Sequence, residues 1–318
     1  MSWLIVLMVL LFASFKNTSP KKQSVSVIIP AYNEEPTVGQ VVSTALKLSY
    51  VDEVIVVDDG STDNTAAIVK EYCTRDERFR YFYQNNSGPC IARNTAMAHS
   101  DGEYILPVDS DNYIADTYME KAVNRFQEFP ETELVYGLSE KFGKEEGIRE
   151  LPDYSYDQLL FVCNMIDMCA MFRRSSFNRV GVFHSNVRGL EDWDLWIGMF
   201  TPKSVVYRIP EVMFYYQVRD NSVTADTIKA IQKLHQNVYW NNAQKYDRYL
   251  PNFTYHRYYG HDCEQILKDV PELTRERVLF FQRHVFLSAG EYTWKHAIIN
   301  KIAKLLGLGI VFYKKEWQ

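Results

Sequence analysis

The stretch that decides the fold is VDEVIVVDDGSTDNT, Val51–Thr65. Its apolar run, Val54–Val57, is short, rich in β-branched residues and closed by a turn of Asp, Gly and Ser. That combination predicts a fully buried strand leaving the core abruptly. Asp63 or Asn64 then stands where a helix cap belongs, ahead of a helix through Cys73.

The same unit recurs on either side. SVSVIIP (Ser24–Pro30) reads as a buried strand stopped by its proline. Thr37–Leu48 places Val38, Val41, Val42, Ala45 and Leu46 at helical spacing. FRYFYQ (Phe79–Gln84) is a third strand, NNSGP breaks it, and Pro89 suits the first turn of a helix running to about His99. EYILPVDSDN is a fourth strand with its exit loop, Tyr118–Phe129 a further helix and ELVYGLS a further strand. From about Glu150 to Thr224 the pattern is mixed. VCNMIDMCAMFRRSSF reads as loop, strand and short helix. GLEDWDLWIGMF (Gly189–Phe200) reads as a turn and then a helix with Trp193, Trp196 and Ile197 partly buried. SVVYRIP and VMFYYQV read as two separate strands, and Ala225 to about Tyr246 and Glu272–Ser288 as helices. No internal repeat or low-complexity tract interrupts the chain.

Strand and helix in alternation force a mainly parallel, Rossmann-like sheet with crossover helices on both faces. Such sheets bind ligands beyond the carboxyl ends of their strands. The polar clusters fall at those ends: Tyr32-Asn33-Glu34, Asp58-Asp59, Asn86-Ser87-Gly88 and Asp109-Ser110-Asp111. Four clusters on one edge predict a single site.

Composition bounds the rest. The chain has 318 residues, 47% hydrophobic and 24% charged, which suits one large globular domain or a domain plus an appendage. A net charge of −5 gives no field to recruit nucleic acid, and none is expected as a partner. Five scattered cysteines without a C-x-x-C pair predict reduced thiols in a cytoplasmic setting. His256, His261 and Cys263 match no standard zinc spacing. WLIVLMVLLFASF (Trp3–Phe15) is 13 residues without charge, against the roughly 20 a spanning helix needs. Followed by Lys16, Lys21 and Lys22, residues 1–22 read as a hydrophobic leader or a membrane-dipping segment. At the other end, Trp294, Ile298, Ile302, Leu305 and Leu306 form an apolar stripe with Lys295, Lys301 and Lys304 mostly off it. Such a basic amphipathic helix either lies on a membrane surface or docks on the protein.

A D-x-D triplet arises readily by chance, and the chain holds a second, Asp192-Trp193-Asp194. Position distinguishes the first: it follows a buried strand on the ligand edge. Two hard oxygen donors there suit Mg²⁺ or Mn²⁺, with water and phosphate filling the octahedron. VDDGSTDNT is either an acidic turn with a helix cap or a set of acceptors for a base or ribose. NSGPCIARN offers helix-start N–H groups and Arg93 to a diphosphate or a base. Neither G-x-x-x-x-G-K-[ST] nor G-x-G-x-x-G is present. Glu191 and Asp192 in GLEDWDLW are either favourable charges at a helix N-terminus or include a general base.

Taken in series, VSVIIPAYNEE, VDDGSTDNT, NSGPCIARN, PVDSDN and GLEDWDLW resemble the family 2 glycosyltransferases, inverting enzymes of the GT-A fold. The resemblance spans about Ser24–Thr224 and implies a catalytic domain over residues 23–224 with a helical C-terminal region, 225–318. It implies that Pro30, Tyr32 and Glu34 line the nucleotide pocket and that Asp59 meets the uracil ring. It implies further that Arg93 lies near base and phosphates, that Asp111 binds the metal directly, and that Asp109 holds the ribose or a metal-bound water. On the same resemblance Asp192 would be the catalytic base, with Glu191 helping to place the acceptor. The donor is then a nucleotide sugar, on this reading a UDP-sugar. The acceptor is a glycan or lipid-linked sugar, at the cytoplasmic face of a membrane. One departure stands out. Many relatives carry R-x-H after a Tyr-rich strand, where the histidine can complete the metal site. YYQVRDNS has Gln217 and Arg219 there. A guanidinium cannot ligate a cation, so Arg219 is expected on the diphosphate, or Asp220 near the metal. Two alternatives remain. One is a non-catalytic subunit binding a nucleotide sugar. The other is a sugar-nucleotide nucleotidyltransferase, whose G-x-G-T-R loop is replaced here by PAYNEE.

Overall fold

The computed structural model describes residues 21–219 and 223–246. The N-terminal apolar run, Asp220, the His256/His261/Cys263 group, the Glu272–Ser288 helix and the amphipathic tail all lie outside these residues. In chain order the elements begin β1 (Lys21–Ala31), α1 (Val38–Lys47), β2 (Val51–Asp58), α2 (Thr65–Lys70), β3 (Phe79–Tyr83) and α3 (Pro89–His99). They continue with β4 (Gly102–Pro107), β5 (Tyr113–Ile114), α4 (Tyr118–Glu128), β6 (Thr132–Gly143), β7 (Gly147–Arg149) and α5 (Tyr156–Phe161). The last are β8 (Met171–Arg173), α6 (Arg174–Phe177), α7 (Glu191–Met199), β9 (Val205–Val218), α8 (Val223–Asn241) and α9 (Ala243–Tyr246). Two compact units result. The first contains residues 21–150, 168–183 and 205–218; the second contains 151–167, 184–204, 219 and 223–246. Among the described residues no helix is long and apolar enough to cross a membrane.

The first unit is one sheet in the order β3-β2-β1-β4-β8-β6-β9-β5, with β7 paired to β6. Strands β3, β2, β1 and β4 are parallel neighbours, so their carboxyl ends share one edge. Beyond them the sheet is mixed: β8 runs antiparallel between β4 and β6, while β6 and β9 are parallel. Val25, Val27 and Ile29 of β1 pack in one cluster with Val38, Val41 and Val42 of α1 and Met119, Val123 and Phe126 of α4. Helix α3 also packs on β1 and β2, but its buried Ala92 and Ala96 lie outside that cluster. Side chains alternate across a strand, so the two sets of helices cover opposite faces.

Two expectations about proline need correction. Pro30 does not stop β1, which continues to Ala31. Ile28 O accepts from Val108 N on the β4 side, and Ala31 O accepts from Asp59 N on the β2 side. Pro30 therefore turns its missing N–H toward β4, where the ladder has already ended at Ile28 and Pro107. Likewise SVVYRIP and VMFYYQV are one strand, β9, rather than two. The register against β6 jumps between Gly137–Ile209 and Leu138–Val212, and this irregularity absorbs Pro210. A Cβ on Gly137 would lie 2.0 Å from Met213 Cγ, so the glycine makes room for the kinked strand.

In the second unit α7 is more deeply buried than its sequence suggests. Trp193, Trp196 and Ile197 are all within the core rather than partly buried. Each indole N–H reaches a backbone carbonyl, Trp193 Nε1 to Leu159 O at 2.6 Å and Trp196 Nε1 to Ile166 O at 3.0 Å. The bulk of a tryptophan can enter a core once that donor is satisfied.

Candidate active site

The loops after β1, β2, β3 and β4 are hydrogen-bonded to one another. Asn33 takes a left-handed backbone (φ 54°), its N–H donates to Ser61 Oγ at 3.0 Å, and its Oδ1 accepts from Thr62 N at 2.8 Å. Glu34 N donates to Thr65 Oγ1 at 2.8 Å. Thr37 Oγ1 reaches both Glu34 Oε2 at 3.0 Å and Ser110 O, inside the D-x-D loop, at 2.8 Å. These contacts tie the first loop to the second and to the fourth.

The two aspartates after β2 divide the work. Asp58 closes its own turn, accepting from Ser61 N at 2.8 Å and from the Tyr81 hydroxyl at 2.9 Å. That carboxylate and burial together hold the Tyr81 phenol well above its usual range, burial first. Asp59 is 3% exposed and grips the loop after β3. Its Oδ1 accepts from Gln84 Nε2 at 2.7 Å and Ser87 N at 2.8 Å; its Oδ2 accepts from Gly88 N at 2.8 Å. Three donors to one charged acceptor offset the cost of burying it. Gly88 sits at φ 91°, where a side chain is strained, and starts α3. Gly60 sits at φ 79°, and a Cβ there would come within 2.7 Å of Asn86 N. The second and third loops thus approach too closely for any other residue. Thr95 Oγ1 fixes Gln84 from α3 at 2.7 Å.

Helix α3 also delivers Arg93, which is 4% exposed. Its Nη2 donates to Asp109 Oδ1 at 2.6 Å, and its guanidinium lies 6.0 Å from the Phe183 ring centroid. A cation therefore stands against the first aspartate of the D-x-D loop in the protein itself. Asp109 remains 36% exposed at its side chain, and the Asn112 N–H closes the turn onto Asp109 O at 3.0 Å. Asn112 Oδ1 accepts from Gln217 N at 3.0 Å, which fixes the end of β9 beside this loop. Arg219 follows two residues further on. Tyr32 is 47% exposed at the tip of β1, and Pro30 is buried within it. Among the described residues no group of three His, Cys, Asp or Glu side chains converges as an all-protein metal cage. The carboxylates of Asp109 and Asp111 are hard oxygen donors. Such a pair fits a divalent cation that draws its other ligands from phosphates and water.

In the second unit Glu191 and Asp192 open α7. Glu191 Oε2 accepts from Gly189 N. Asp192 Oδ2 accepts from Asn164 Nδ2 at 2.8 Å, and Oδ1 from Trp193 N at 2.7 Å. Asp194 serves another purpose. It is 1% exposed, with His184 Nδ1 at 2.7 Å on Oδ2 and the amides of Asn241 (3.0 Å) and Asn242 (2.9 Å) on Oδ1. It anchors the end of α8 to α7. Its hydrogen bond raises the pKa of His184 above the ordinary value, against the opposing effect of burial. Sequence reasoning passed over Asp194 and Asn164. A signal for Asp194 existed: residues two apart on a helix lie about 200° apart. Asp192 and Asp194 therefore cannot serve one site.

The first unit is a mixed α/β sheet whose polar loops, the D-x-D loop among them, gather at the carboxyl edge of β1–β4. Residues 26–181 match the model of Glycosyl transferase family 2. TuaG of Bacillus subtilis, a glycosyltransferase provisionally assigned to teichuronic acid biosynthesis, is 29% identical over 220 residues. That alignment covers 67% of this chain and 86% of TuaG. Of several longer curated relatives the chain spans only 18%, 29% and 26%. Among solved structures, S. aureus TarS 1–349 in complex with UDP-GlcNAc superposes with a TM-score of 0.58 at 20% identity, covering 70% of this chain and 69% of that one. The mannosyltransferase PcManGT of Pyrobaculum calidifontis, in complex with GDP-Man and Mn²⁺, gives 0.51 at 22% identity, with 73% and 69% covered. The chain belongs to the family 2 glycosyltransferases, and its fold is of the GT-A type.

Proposed function

We propose that this glycosyltransferase moves a sugar from a UDP-sugar to a hydroxyl of a glycan or lipid-linked acceptor, by one inverting displacement assisted by Mn²⁺ or Mg²⁺. The observation that carries the reading is the interlocked carboxyl edge of β1–β4, with the D-x-D loop at its end and Arg93 against Asp109. TarS binds UDP-GlcNAc and PcManGT binds GDP-Man with Mn²⁺, which supports the donor class and the cation.

In this reading Pro30, Tyr32 and Glu34 line the nucleotide pocket, and Tyr32 offers its exposed ring to the base. Asp59 holds the second and third loops together and meets the uracil edge. Asp111 would bind the cation, with Asp109 beside it; Arg93 keeps Asp109 oriented and adds positive charge near the phosphates. When bound, the cation would neutralise charge that builds on the diphosphate leaving group. Arg219 pairs with that diphosphate from the end of β9. Asp192 takes the proton of the acceptor hydroxyl as its oxygen bonds to the anomeric carbon and the bond to the diphosphate breaks. Glu191 helps to place the acceptor. One displacement inverts the anomeric centre and requires no enzyme nucleophile. Work on a surface polysaccharide or glycolipid, at the cytoplasmic face of a membrane, belongs to the same proposal. It draws on TuaG and on the apolar and basic-amphipathic ends of the sequence.

The test is a panel of UDP-sugars with GDP-mannose as the contrast, assayed for nucleotide release in Mn²⁺, in Mg²⁺ and in EDTA. Release from at least one UDP-sugar that stops in EDTA is the expected outcome. Equal rates in EDTA would remove the cation from the account, and release from GDP-mannose alone would remove UDP.

A further inference from the structure

We infer that Asn112 is a positioning residue for the D-x-D loop: its side chain ends the β5–β9 ladder and so sets the place from which Asp111 meets the cation. The inference rests on the reading of Asp111 as a ligand of that cation.

The ladder shows where the break falls. Strand β5 runs antiparallel to β9, with Tyr113 opposite Tyr215 and Ile114 opposite Phe214. Just beyond, Ala115 N donates to Met213 O at 2.9 Å. Bonded pairs in an antiparallel ladder recur at every second residue. The series Ala115–Met213 and Tyr113–Tyr215 therefore continues to Asp111–Gln217, where the Gln217 N–H would meet the Asp111 carbonyl. It meets the Asn112 side chain instead, with Oδ1 at 3.0 Å. One amide oxygen takes the rung that Asp111 would fill, and Asp111 belongs to the turn rather than to the strand.

That substitution shapes the loop. Asn112 N donates to Asp109 O at 3.0 Å, closing a turn with Asp109 at its first position and Asp111 at its third. Both carboxylates thus stand on one four-residue turn, and Asn112 serves it twice, with its backbone and with its side chain. Because Oδ1 faces the Gln217 donor, Nδ2 is the end turned to Asp109, 3.5 Å from Oδ2 and at the limit of a hydrogen bond. Asn112 is 3% exposed, so its amide is held within the fold. Two other anchors grip the first half of the turn: Thr37 Oγ1 on Ser110 O at 2.8 Å and Arg93 Nη2 on Asp109 Oδ1 at 2.6 Å. The Asn112–Gln217 bond grips the second half, on the far side of Asp111. Residues that orient a metal ligand in this way are worth about 10- to 100-fold in metal affinity.

The experiment is calorimetric titration of UDP into the full chain, across a Mn²⁺ series and in EDTA, for the wild type, Asn112→Leu and Asn112→Ser. Leucine keeps the branched shape and has no acceptor. Serine suits a turn, and its shorter side chain stops short of the Gln217 N–H, so it carries the same expectation if the leucine variant does not fold. The Mn²⁺ concentration that gives half of the gain in UDP affinity should rise about 10- to 100-fold, while UDP affinity in EDTA stays within about twofold. A merely structural role would lower affinity equally with and without the cation. An unmoved Mn²⁺ midpoint, an equal loss in Mn²⁺ and EDTA, or failure of both variants to fold overturns the inference and leaves the cation reading intact. Wild-type UDP binding indifferent to Mn²⁺ overturns the reading of the D-x-D loop, and the role of Asn112 goes with it.

Discussion

Asp192→Asn lowers kcat about 1,000-fold and leaves donor affinity within about twofold. The substitution is nearly isosteric. Oδ1 remains to accept from the Trp193 N–H, so helix α7 keeps its start, while the new amide faces Asn164 Nδ2 and forgoes that one hydrogen bond. What is lost is a group able to take a proton. General-base contributions of about 10²–10⁴ set the scale, equivalent to about 3–5 kcal/mol on the barrier. The buried Asp194 with its three side-chain partners stays in place, so the melting temperature should move by no more than about two degrees. The decisive comparison is kcat against donor Kd on the same preparation. A fall in donor affinity with kcat preserved would move Asp192 from the chemistry to the donor pocket.

Asp59→Ala is expected to damage both stability and donor binding. The change leaves three donors, Gln84 Nε2 and the N–H groups of Ser87 and Gly88, facing a small buried void. Leaving a buried donor unsatisfied costs about 1–3 kcal/mol. The three share one loop and can relax together, so the loss in unfolding free energy is about 2–4 kcal/mol rather than their full total. The same loop carries Gly88 into α3, and α3 carries Arg93 to Asp109. A loosened loop therefore disturbs the proposed diphosphate site as well as the base site, and UDP affinity should fall more than about tenfold. Denaturant unfolding and calorimetric titration with UDP give the two numbers. Asp59→Asn provides the contrast. It fills the void, but its amino group opposes an N–H, so it recovers part of the stability and little of the affinity. Unchanged UDP affinity in Asp59→Ala would show that the carboxylate serves the loop alone.

What could be read from the sequence followed from local pattern. The strands β1–β4 and helices α1–α4 came from runs of β-branched residues and from apolar residues at helical spacing. The polar clusters at their ends came from the turn chemistry of Gly, Asp and Asn. What could not be read depends on residues far apart in the chain. The Arg93–Asp109 pair joins a helix to a loop sixteen residues away, and no local pattern announces it. Continuity of β9 through Pro210 required Gly137 of another strand to give way. The antiparallel β8 is only three residues long and is specified by its neighbours, not by its own composition. Asn164 looked like any loop polar residue until two indoles fixed its segment against α7. Tertiary context overrode the expected partial burial of Trp193 and Trp196 in the same way, because each indole found a carbonyl.

The central claim is that one edge of the sheet forms a cation-assisted nucleoside diphosphate site. Calorimetric titration of UDP into the wild-type protein and into Asp111→Asn, each in Mn²⁺ and in EDTA, tests it most directly. The account predicts wild-type binding that weakens at least about tenfold in EDTA, and an Asp111→Asn protein that binds as weakly in Mn²⁺ as in EDTA. UDP binding of equal strength in all four titrations would contradict it.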